Sequence, residues 1–255
     1  MKTTPVQITA DHLTRVYEQR TVLNSVSFTI QPGEVFVIMG PSGTGKSVLL
    51  KLLAGLDAPT SGTIAINNIP LNKAKKQKGY VLGLVFQSGA LFNSLSVFDN
   101  LALYLREHRI CSEEEVKKRI KRVLELVNLN GVEELMPFSL SGGMKKRVAL
   151  ARGLLMEPDV LLFDEPTSEL DPISAASIIE LIGYINRTLK ITTVISTHDI
   201  LLAKTIGTHI VVLEHGGFDT LYTPETLLKT NNSFIDRFLN PIINIEQPQF
   251  KDFLA

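Results

Sequence analysis

A glycine-rich segment with one lysine and one serine has the residue types needed to hold phosphate groups. It matches the spacing G-x-x-x-x-G-K-[ST] between an apolar run at 35–39 and a helical pattern. Glycines let backbone N–H groups converge on phosphate oxygens, and the helix adds the positive end of its dipole. The lysine can neutralise the β- and γ-phosphates, and the serine can ligate Mg²⁺. The loop comprises Gly40, Pro41, Ser42, Gly43, Thr44, Gly45, Lys46 and Ser47, with Val48 following.

Two adjacent carboxylates, Asp164 and Glu165, end a second apolar run at 160–163. Burying such a pair without cations would be costly, so the pattern indicates a metal or catalytic site. Asp164 would hold Mg²⁺ directly or through water, and Glu165 would act as the general base for an attacking water. The alternative is a surface turn with two solvated acids, which the phosphate loop upstream makes less favoured.

The elements that must position these residues predict a mostly parallel α/β core with a helical insert. Strands are expected over 6–30, 35–39, 63–66 (a hairpin with Asn67-Asn68), 81–86, 160–163, 191–195, 210–213 and 218–222, with a helix opening at 48–55. Between about 88 and 150 the pattern becomes helical. Ser112 and Glu115 form a capping-box pattern, and Asn130-Gly131 is expected to end the helix that begins there.

Bulk composition excludes several function classes. The 26 Lys and Arg balance the 26 Asp and Glu, so no overall charge favours nucleic acid or anionic lipid. The single Cys111 rules out an internal disulfide framework. The N-terminus lacks the apolar region of a secretory signal, and the apolar runs are far too short to cross a bilayer. Any membrane role is therefore expected to be peripheral.

The segment Leu140–Arg147, which reads LSGGMKKR, resembles the LSGGQ signature of ABC ATPases. Two glycines after a serine at a helix start make a second anion-binding nest. The resemblance covers roughly residues 6–230 and implies a P-loop NTPase fold with an antiparallel β subdomain and a helical subdomain at about 88–153. It further implies ATP hydrolysis with Mg²⁺ in a head-to-tail dimer, where Ser141, Gly142 and Gly143 contact the γ-phosphate held by the second copy.

The resemblance also assigns roles outside the main motifs. Tyr17 looks like the aromatic residue that stacks on adenine, with an edge-strand tyrosine as the alternative. Gln87 resembles the Q-loop glutamine that senses Mg²⁺ and faces the membrane subunit. Residues 168–171, ending at Asp171, resemble the D-loop that crosses to the partner's site, and His198 resembles the switch histidine at the γ-phosphate.

Three details are similar to the ATPases of Mla-type, MCE-linked lipid transporters. Val48 follows Gly-Lys-Ser, Met144 stands in place of the signature glutamine, and the Q-loop neighbourhood is Phe86–Phe92. The resemblance implies transport of phospholipids or other hydrophobic molecules across the cell envelope. The implied partners are integral membrane permease subunits and an MCE-domain substrate-binding protein, with this chain on the cytoplasmic side of the inner membrane.

Two other functions fit the same motifs. One is a regulatory or mechanical ABC ATPase that signals to a membrane partner without moving substrate. The other is an ATPase acting on nucleic acid, suggested by the basic runs 73–78 and 117–122. The second run alternates with an apolar helix face, so a solvated surface is favoured and no nucleic-acid partner is expected.

Two features depart from the usual cassette. Glu169 replaces a small D-loop residue and could repel phosphates in the opposite site; we favour its pointing to solvent. Residues 231–255 continue past the expected domain end at about 230, with helical spacing of Phe234, Ile235, Phe238 and Leu239. This extension could reach over the partner subunit, or pack on its own domain and fray.

Overall fold

The computed structural model describes residues 4–76, 79–218 and 220–240. The strands are β1 (Ile8–Tyr17), β2 (Arg20–Ile30), β3 (Val35–Met39), β4 (Ser61–Ile66), β5 (Ile69–Pro70), β6 (Leu82–Val85), β7 (Val160–Asp164), β8 (Thr192–Thr197) and β9 (His209–Val212). The helices are α1 (Lys46–Leu53), α2 (Leu71–Lys76), α3 (Val97–Glu107), α4 (Glu113–Leu126), α5 (Gly142–Leu154), α6 (Pro172–Leu189), α7 (Ile200–Ile206), α8 (Pro224–Leu227) and α9 (Ser233–Leu239).

Two sheets organise the chain. Strands β2-β1-β4-β5 form an antiparallel sheet, and strands β6-β7-β8-β3-β9 form a parallel one. In a parallel sheet the carboxyl ends of the strands share one edge, where ligands are bound in open α/β folds. The segments after β3, β6, β7 and β8 carry the phosphate loop, Gln87, the acid pair and His198, so all four motifs reach that edge.

Both faces of the parallel sheet are covered, which explains its continuously apolar strands. In β3, Phe36 and Ile38 pack in a core shared with α1 and the antiparallel sheet. Their neighbours Val37 and Met39 pack in a second core shared with helices α3 to α7. The expected α/β fold with an antiparallel sheet and inserted helices is confirmed.

Helices α3, α4 and α5 lie between β6 and β7. The predicted apolar face of α4 is buried, and Ser112 caps the helix by accepting from the backbone of Glu115. The Glu115 carboxylate binds Arg119 at 3.3 Å. The predicted end at Asn130-Gly131 was wrong, because the helix ends at Leu126 and Asn128 turns into the left-handed region with φ 55°.

The C-terminal part differs in one element. Instead of the expected strand over 218–222, single bridges join Tyr222 to Ile210 and Gly217 to Glu214. Helix α9 buries Ile235 against the core of its own chain. The rest of the predicted extension, 241–255, lies outside the described residues, as do Gln77 and Lys78 at the end of the first basic run. Within the described ranges, no helix combines the length and apolarity needed to cross a bilayer.

Candidate nucleotide site

A cavity of about 470 Å³ opens at the carboxyl edge of the parallel sheet. The antiparallel sheet contributes one wall of it through β1 and β2, and the remaining walls come from the motif loops. Its lining includes Tyr17, Arg20, Val22, Ser42, Gly43, Gly45, Lys46, Ser47, Val48, Gln87, Glu165 and His198. Three residues of the predicted phosphate loop, Gly40, Pro41 and Thr44, are not among the lining residues. The Thr44 hydroxyl donates to the Pro41 carbonyl at 2.9 Å, a hydrogen bond within the loop.

Backbone geometry explains two glycines of the loop. Gly45 caps α1 with φ 104°, in the region that favours glycine. Gly40 has φ 144°, and a Cβ there would meet the Leu213 carbonyl oxygen at 2.7 Å. Helix α1 therefore begins at Lys46, two residues earlier than predicted, and aims its N-terminus into the cavity.

Lys46 is only 5% exposed, and its ammonium lies among oxygen acceptors. Its Nζ donates to the carbonyls of Gly40 at 2.8 Å and Pro41 at 3.0 Å, and forms an ion pair with Glu165 Oε1 at 3.2 Å. A buried cation needs such partners, because leaving it unpaired costs several kcal/mol, on the order of 3–5. The ammonium is thus held at the cavity wall, where phosphate oxygens can replace these acceptors.

Glu165 adopts a left-handed backbone, φ 48°, directly after β7. Its N–H donates to the Ser196 carbonyl at 3.0 Å, which holds the sharp turn against β8. The carboxylate is then shared between Lys46 and the imidazole of His198, whose Nδ1 lies 2.8 Å from Glu165 Oε2. This arrangement keeps one carboxylate oriented at the cavity wall beside a half-exposed histidine, as a general base requires.

Oxygen ligands of the type preferred by Mg²⁺ lie next to Glu165, around the carboxylate of Asp164. The hydroxyl of Ser47 lies 2.9 Å from Asp164 Oδ1, and Ser196 donates to the same carboxylate oxygen at 2.5 Å. The side chain of Gln87 lines the same cavity. In the described part of the chain no cluster of three His, Cys, Asp or Glu residues could hold a metal alone. A hydroxyl, a carboxylate and an amide suit Mg²⁺, which takes few protein ligands and completes its shell with phosphates and water.

Tyr17 is held on the opposite side of the cavity. Its hydroxyl donates to Asp57, and the Arg15 guanidinium carbon lies 4.3 Å from the ring centroid while Nη2 binds Asp57 at 2.8 Å. The hydrogen bond from Tyr17 lowers the pKa of the Asp57 carboxyl, so the anchor stays ionised. The ring is therefore fixed at its edge and on one face.

The signature and the D-loop do not line this cavity. Ser141 caps α5 by accepting from the Met144 backbone at 3.3 Å, and both Ser141 and Gly142 are exposed, with Gly143 half-buried. Asp171 caps α6 by accepting from the N–H groups of Ile173 and Ser174 at 3.0 Å. Among the described residues that line the nucleotide cavity, none comes from 140–147 or 168–171.

Three contacts near the site were not predicted from the sequence. Ser196 binds Asp164, Lys146 is buried against the Q-loop, and Glu169 accepts from Gln87 Nε2 at 3.4 Å. The expectation that Glu169 points to solvent was incomplete, because the residue is exposed while its carboxylate contacts the Q-loop. Ser196 and Lys146 had no local signal, since a serine in a strand and the middle residue of the basic run 145–147 give no sign of a buried contact.

Comparison with known proteins agrees with this geometry. Residues 23–168 match the ABC transporter family. The chain is 38% identical over 239 residues to the probable ribonucleotide transport ATP-binding protein mkl of Mycobacterium tuberculosis, covering 92% of this chain and 67% of that protein. It is 35% identical to the intermembrane phospholipid transport system ATP-binding protein MlaF of Haemophilus influenzae, covering 91% and 89%.

A solved relative has the same fold. The dimeric structure of a post-hydrolysis state of the ATP-binding cassette MJ0796, bound to ADP and Pi, superimposes with a TM-score of 0.77 at 32% identity. The match covers 85% of this chain and 98% of that one. With the phosphate loop, acid pair and signature in their expected elements, the chain belongs to the ABC transporter family as one of its ATP-hydrolysing subunits.

Proposed function

We propose that two copies of this chain close on two ATP molecules, each gripped by Lys46 of one copy and by Ser141–Gly143 of the other. The observation that carries this proposal is the exposure of the signature nest on a surface away from its own nucleotide cavity. A helix N-terminus with free N–H groups is an anion site, so an outward-facing nest suits a phosphate held by another molecule. The dimeric form of the solved relative supports the same assembly.

Within each site, the described side chains divide the chemistry. Ser47, Asp164 and Gln87 would hold Mg²⁺, which when bound neutralises charge on the phosphates. Glu165, oriented by His198, takes the proton of the attacking water, and Lys46 stabilises charge at the β- and γ-phosphates. Positioning and preorganised charge at the γ-phosphate supply most of the catalysis. In its own chain Asp171 caps α6. In the dimer, the D-loop that ends at Asp171 would cross to the nucleotide site of the partner.

The dimer can be tested with a hydrolysis-deficient variant. Glu165→Gln should bind ATP and migrate as a dimer in size-exclusion chromatography with light scattering, because the closed state is no longer resolved by hydrolysis. Adding Ser141→Arg should return the protein to monomer, whereas Asn130→Arg, an exposed position on the same subdomain, should not. A Glu165→Gln protein that stays monomeric at saturating ATP would contradict the proposal.

An apolar groove supports a membrane partner. The groove, about 670 Å³, lies between the end of α1, strand β6 and the inserted helices, and includes Leu56, Leu84, Phe86, Tyr104 and Met156. Leu56 is 62% exposed and Phe86 37%, and both border one contiguous apolar groove, the kind of surface that marks an interaction site. Phe86 directly precedes Gln87, so a permease helix docked here would connect to the Mg²⁺ site through one peptide bond.

If the permease docks in this groove, a charged residue placed there should prevent docking without affecting ATP hydrolysis. Leu56→Asp should abolish co-purification with permease subunits from membranes while leaving the ATPase activity of the isolated chain unchanged, because Leu56 lies outside the nucleotide cavity. Leu228→Asp, exposed at 54% beyond the groove, is the matched control and should co-purify normally. Normal recovery of the permease with Leu56→Asp would refute docking at this groove.

For the cargo, we propose phospholipid or another hydrophobic molecule, moved by an inner-membrane complex with an MCE-domain protein. Val48, Met144 and the Phe86–Phe92 neighbourhood support this branch, as does the MlaF relative. In the extension over 231–255, α9 packs on its own chain, and we propose that the part after α9 contacts the partner subunit. Nothing in the balanced charge calls for nucleic acid as a partner.

Isolation from membranes separates this cargo from the alternative of a purely mechanical signalling ATPase. Purified complex should contain permease and MCE-domain subunits by mass spectrometry, and reconstituted vesicles should move labelled phospholipid only with ATP. Full ATPase stimulation by the membrane partner without lipid movement would favour the mechanical alternative.

A further inference from the structure

A buried lysine on the signature helix contacts three parts of the catalytic edge. Lys146 lies in the second turn of α5 and is only 7% exposed, although its sequence neighbours Lys145 and Arg147 are half-buried. Its Nζ donates to the backbone carbonyl of Gln87, to the Glu165 carbonyl at 3.2 Å and to Ser168 Oγ at 3.3 Å. An ammonium has three protons, so each acceptor can take one.

The three acceptors come from separate segments of the chain. Gln87 follows β6, Glu165 follows β7, and Ser168 begins the D-loop. Ser168 also donates to the Glu165 carbonyl at 2.8 Å, and the Gln87 amide reaches Glu169 at 3.4 Å. Lys146 is thus the point where the signature helix, the Q-loop, the acid pair and the D-loop are joined within one chain.

Placing a cation here is costly. Burial lowers the pKa of Lys146, and the negative charges of Glu169, Glu165 and Asp164 only oppose that effect. An apolar side chain of similar size often stabilises a protein more than a buried ion does. The lysine is therefore better explained by the geometry that it imposes than by stability.

We propose that Lys146 is a positioning residue for ATP hydrolysis, which fixes the backbone of Gln87 and Glu165 relative to the signature helix. When Ser141–Gly143 engages a phosphate on the second copy, any shift of α5 moves the Q-loop and the base together. Hydrolysis in one site is thereby coupled to occupation of the other. This inference rests on the roles proposed above for Gln87 and Glu165.

The test separates positioning from folding. Lys146→Met keeps most of the side-chain length but removes all three donors, and should lower kcat about 10- to 100-fold, the loss expected when a reacting group is misplaced by about 1 Å. The KM for ATP and the Kd for a fluorescent ATP analogue should change less than about threefold, because the phosphate loop and Tyr17, which would hold the nucleotide, are unchanged. Lys146→Arg should recover part of kcat, and Lys118→Met, an exposed lysine on α4, should match wild type.

A second variant keeps the test decisive if Lys146→Met does not fold. Ser168→Ala removes one acceptor and should lower kcat by about 3- to 10-fold without raising KM. Unchanged kcat in every folded variant of Lys146 and Ser168 would overturn the inference, as would a lower Tm with normal kcat per folded molecule. Lys46→Ala and Glu165→Gln serve as references: if they retain activity the site assignment fails, and if they are inactive while Lys146→Met is normal only this inference fails.

Discussion

At the scale of single residues, the environment of Glu165 is what makes it suitable as a base. Its left-handed backbone turns the carboxylate away from β7 and towards Lys46 and His198, at 3.2 and 2.8 Å. The sequence indicated the acid pair because two adjacent carboxylates at the end of an apolar strand are costly to bury without a cation or a catalytic role. It could not indicate Ser196, because the partner that completes the turn comes from β8, and neighbouring strands are paired only by the fold.

Tyr17 leads to a prediction about binding rather than turnover. One face of its ring is covered by Arg15 and its hydroxyl is bound to Asp57, so the remaining face is available for adenine. Tyr17→Ala should raise the KM for ATP by roughly 5- to 10-fold, the value of about 1 kcal/mol for an aromatic pair, with kcat nearly unchanged. Steady-state ATPase kinetics would measure both constants.

The matched control for that change is Tyr17→Phe. It keeps the ring and loses only the hydrogen bond to Asp57, so its KM should stay within about twofold of wild type. An equal rise in KM for both variants would mean that the hydroxyl, not ring stacking, is what binds nucleotide. A fall in kcat alone would remove Tyr17 from the adenine site.

At the scale of elements, local signals located the helices and strands better than their ends. The apolar face of α4 and its Ser112 cap could be predicted from the sequence, because both follow from residue spacing within one segment of the chain. The end of α4 was not, because Asn128 leaves the helix two residues before the Asn-Gly pair that usually marks a stop. Similarly, a strand was expected over 218–222, whereas in the described part of that segment a single bridge joins Tyr222 to Ile210.

The junction of α3 and α4 depends on one arginine. Arg106 Nε and Nη2 bind Glu113 at 2.9 and 2.8 Å, and Nη1 binds Asp99 at 2.9 Å. The hydrogen bond from Arg106 holds the pKa of Glu113 below its ordinary value of 4.5. A carboxyl whose pKa is lowered by folding adds stability above its unfolded pKa and loses that contribution as the pH falls through the folded value.

Arg106→Gln should therefore destabilise the chain in a pH-dependent way. We expect a Tm lower by roughly 1–3 °C at pH 7, since exposed ion pairs contribute little each. That difference should shrink as the pH falls below the ordinary pKa of 4.5 and towards the lowered pKa of Glu113 in the folded protein. Calorimetry from pH 7 to pH 3.5 would measure it, with exposed Arg122→Gln as the control. A Tm difference independent of pH would show that the arginine acts through packing on Phe98, not charge.

At the scale of the whole molecule, the main structural fact is that the phosphate loop and the signature nest lie on separate surfaces of one chain. The cavity around Lys46 and the exposed nest at Ser141 belong to different elements, α1 and α5, and do not line a common space. The sequence indicated both motifs, but only the fold shows that the signature lies outside the nucleotide cavity of its own chain. If each nucleotide site is divided between two copies, two chains with different defects should complement each other, which would not occur if each chain held a complete site.

The prediction uses two defective chains that should complement each other. In a Glu165→Gln background, Lys46→Ala destroys the cavity and Ser141→Arg blocks the nest, so neither protein should associate with itself when ATP is added. A mixed pair has one site with both parts intact, formed by Lys46 of the Ser141→Arg chain and Ser141 of the Lys46→Ala chain. We therefore expect ATP-dependent pull-down between the two chains when they carry different tags, independent of hydrolysis. If each ATP were instead bound within one chain, the mixture would contain no intact site, and the pull-down would remain at the level seen without ATP.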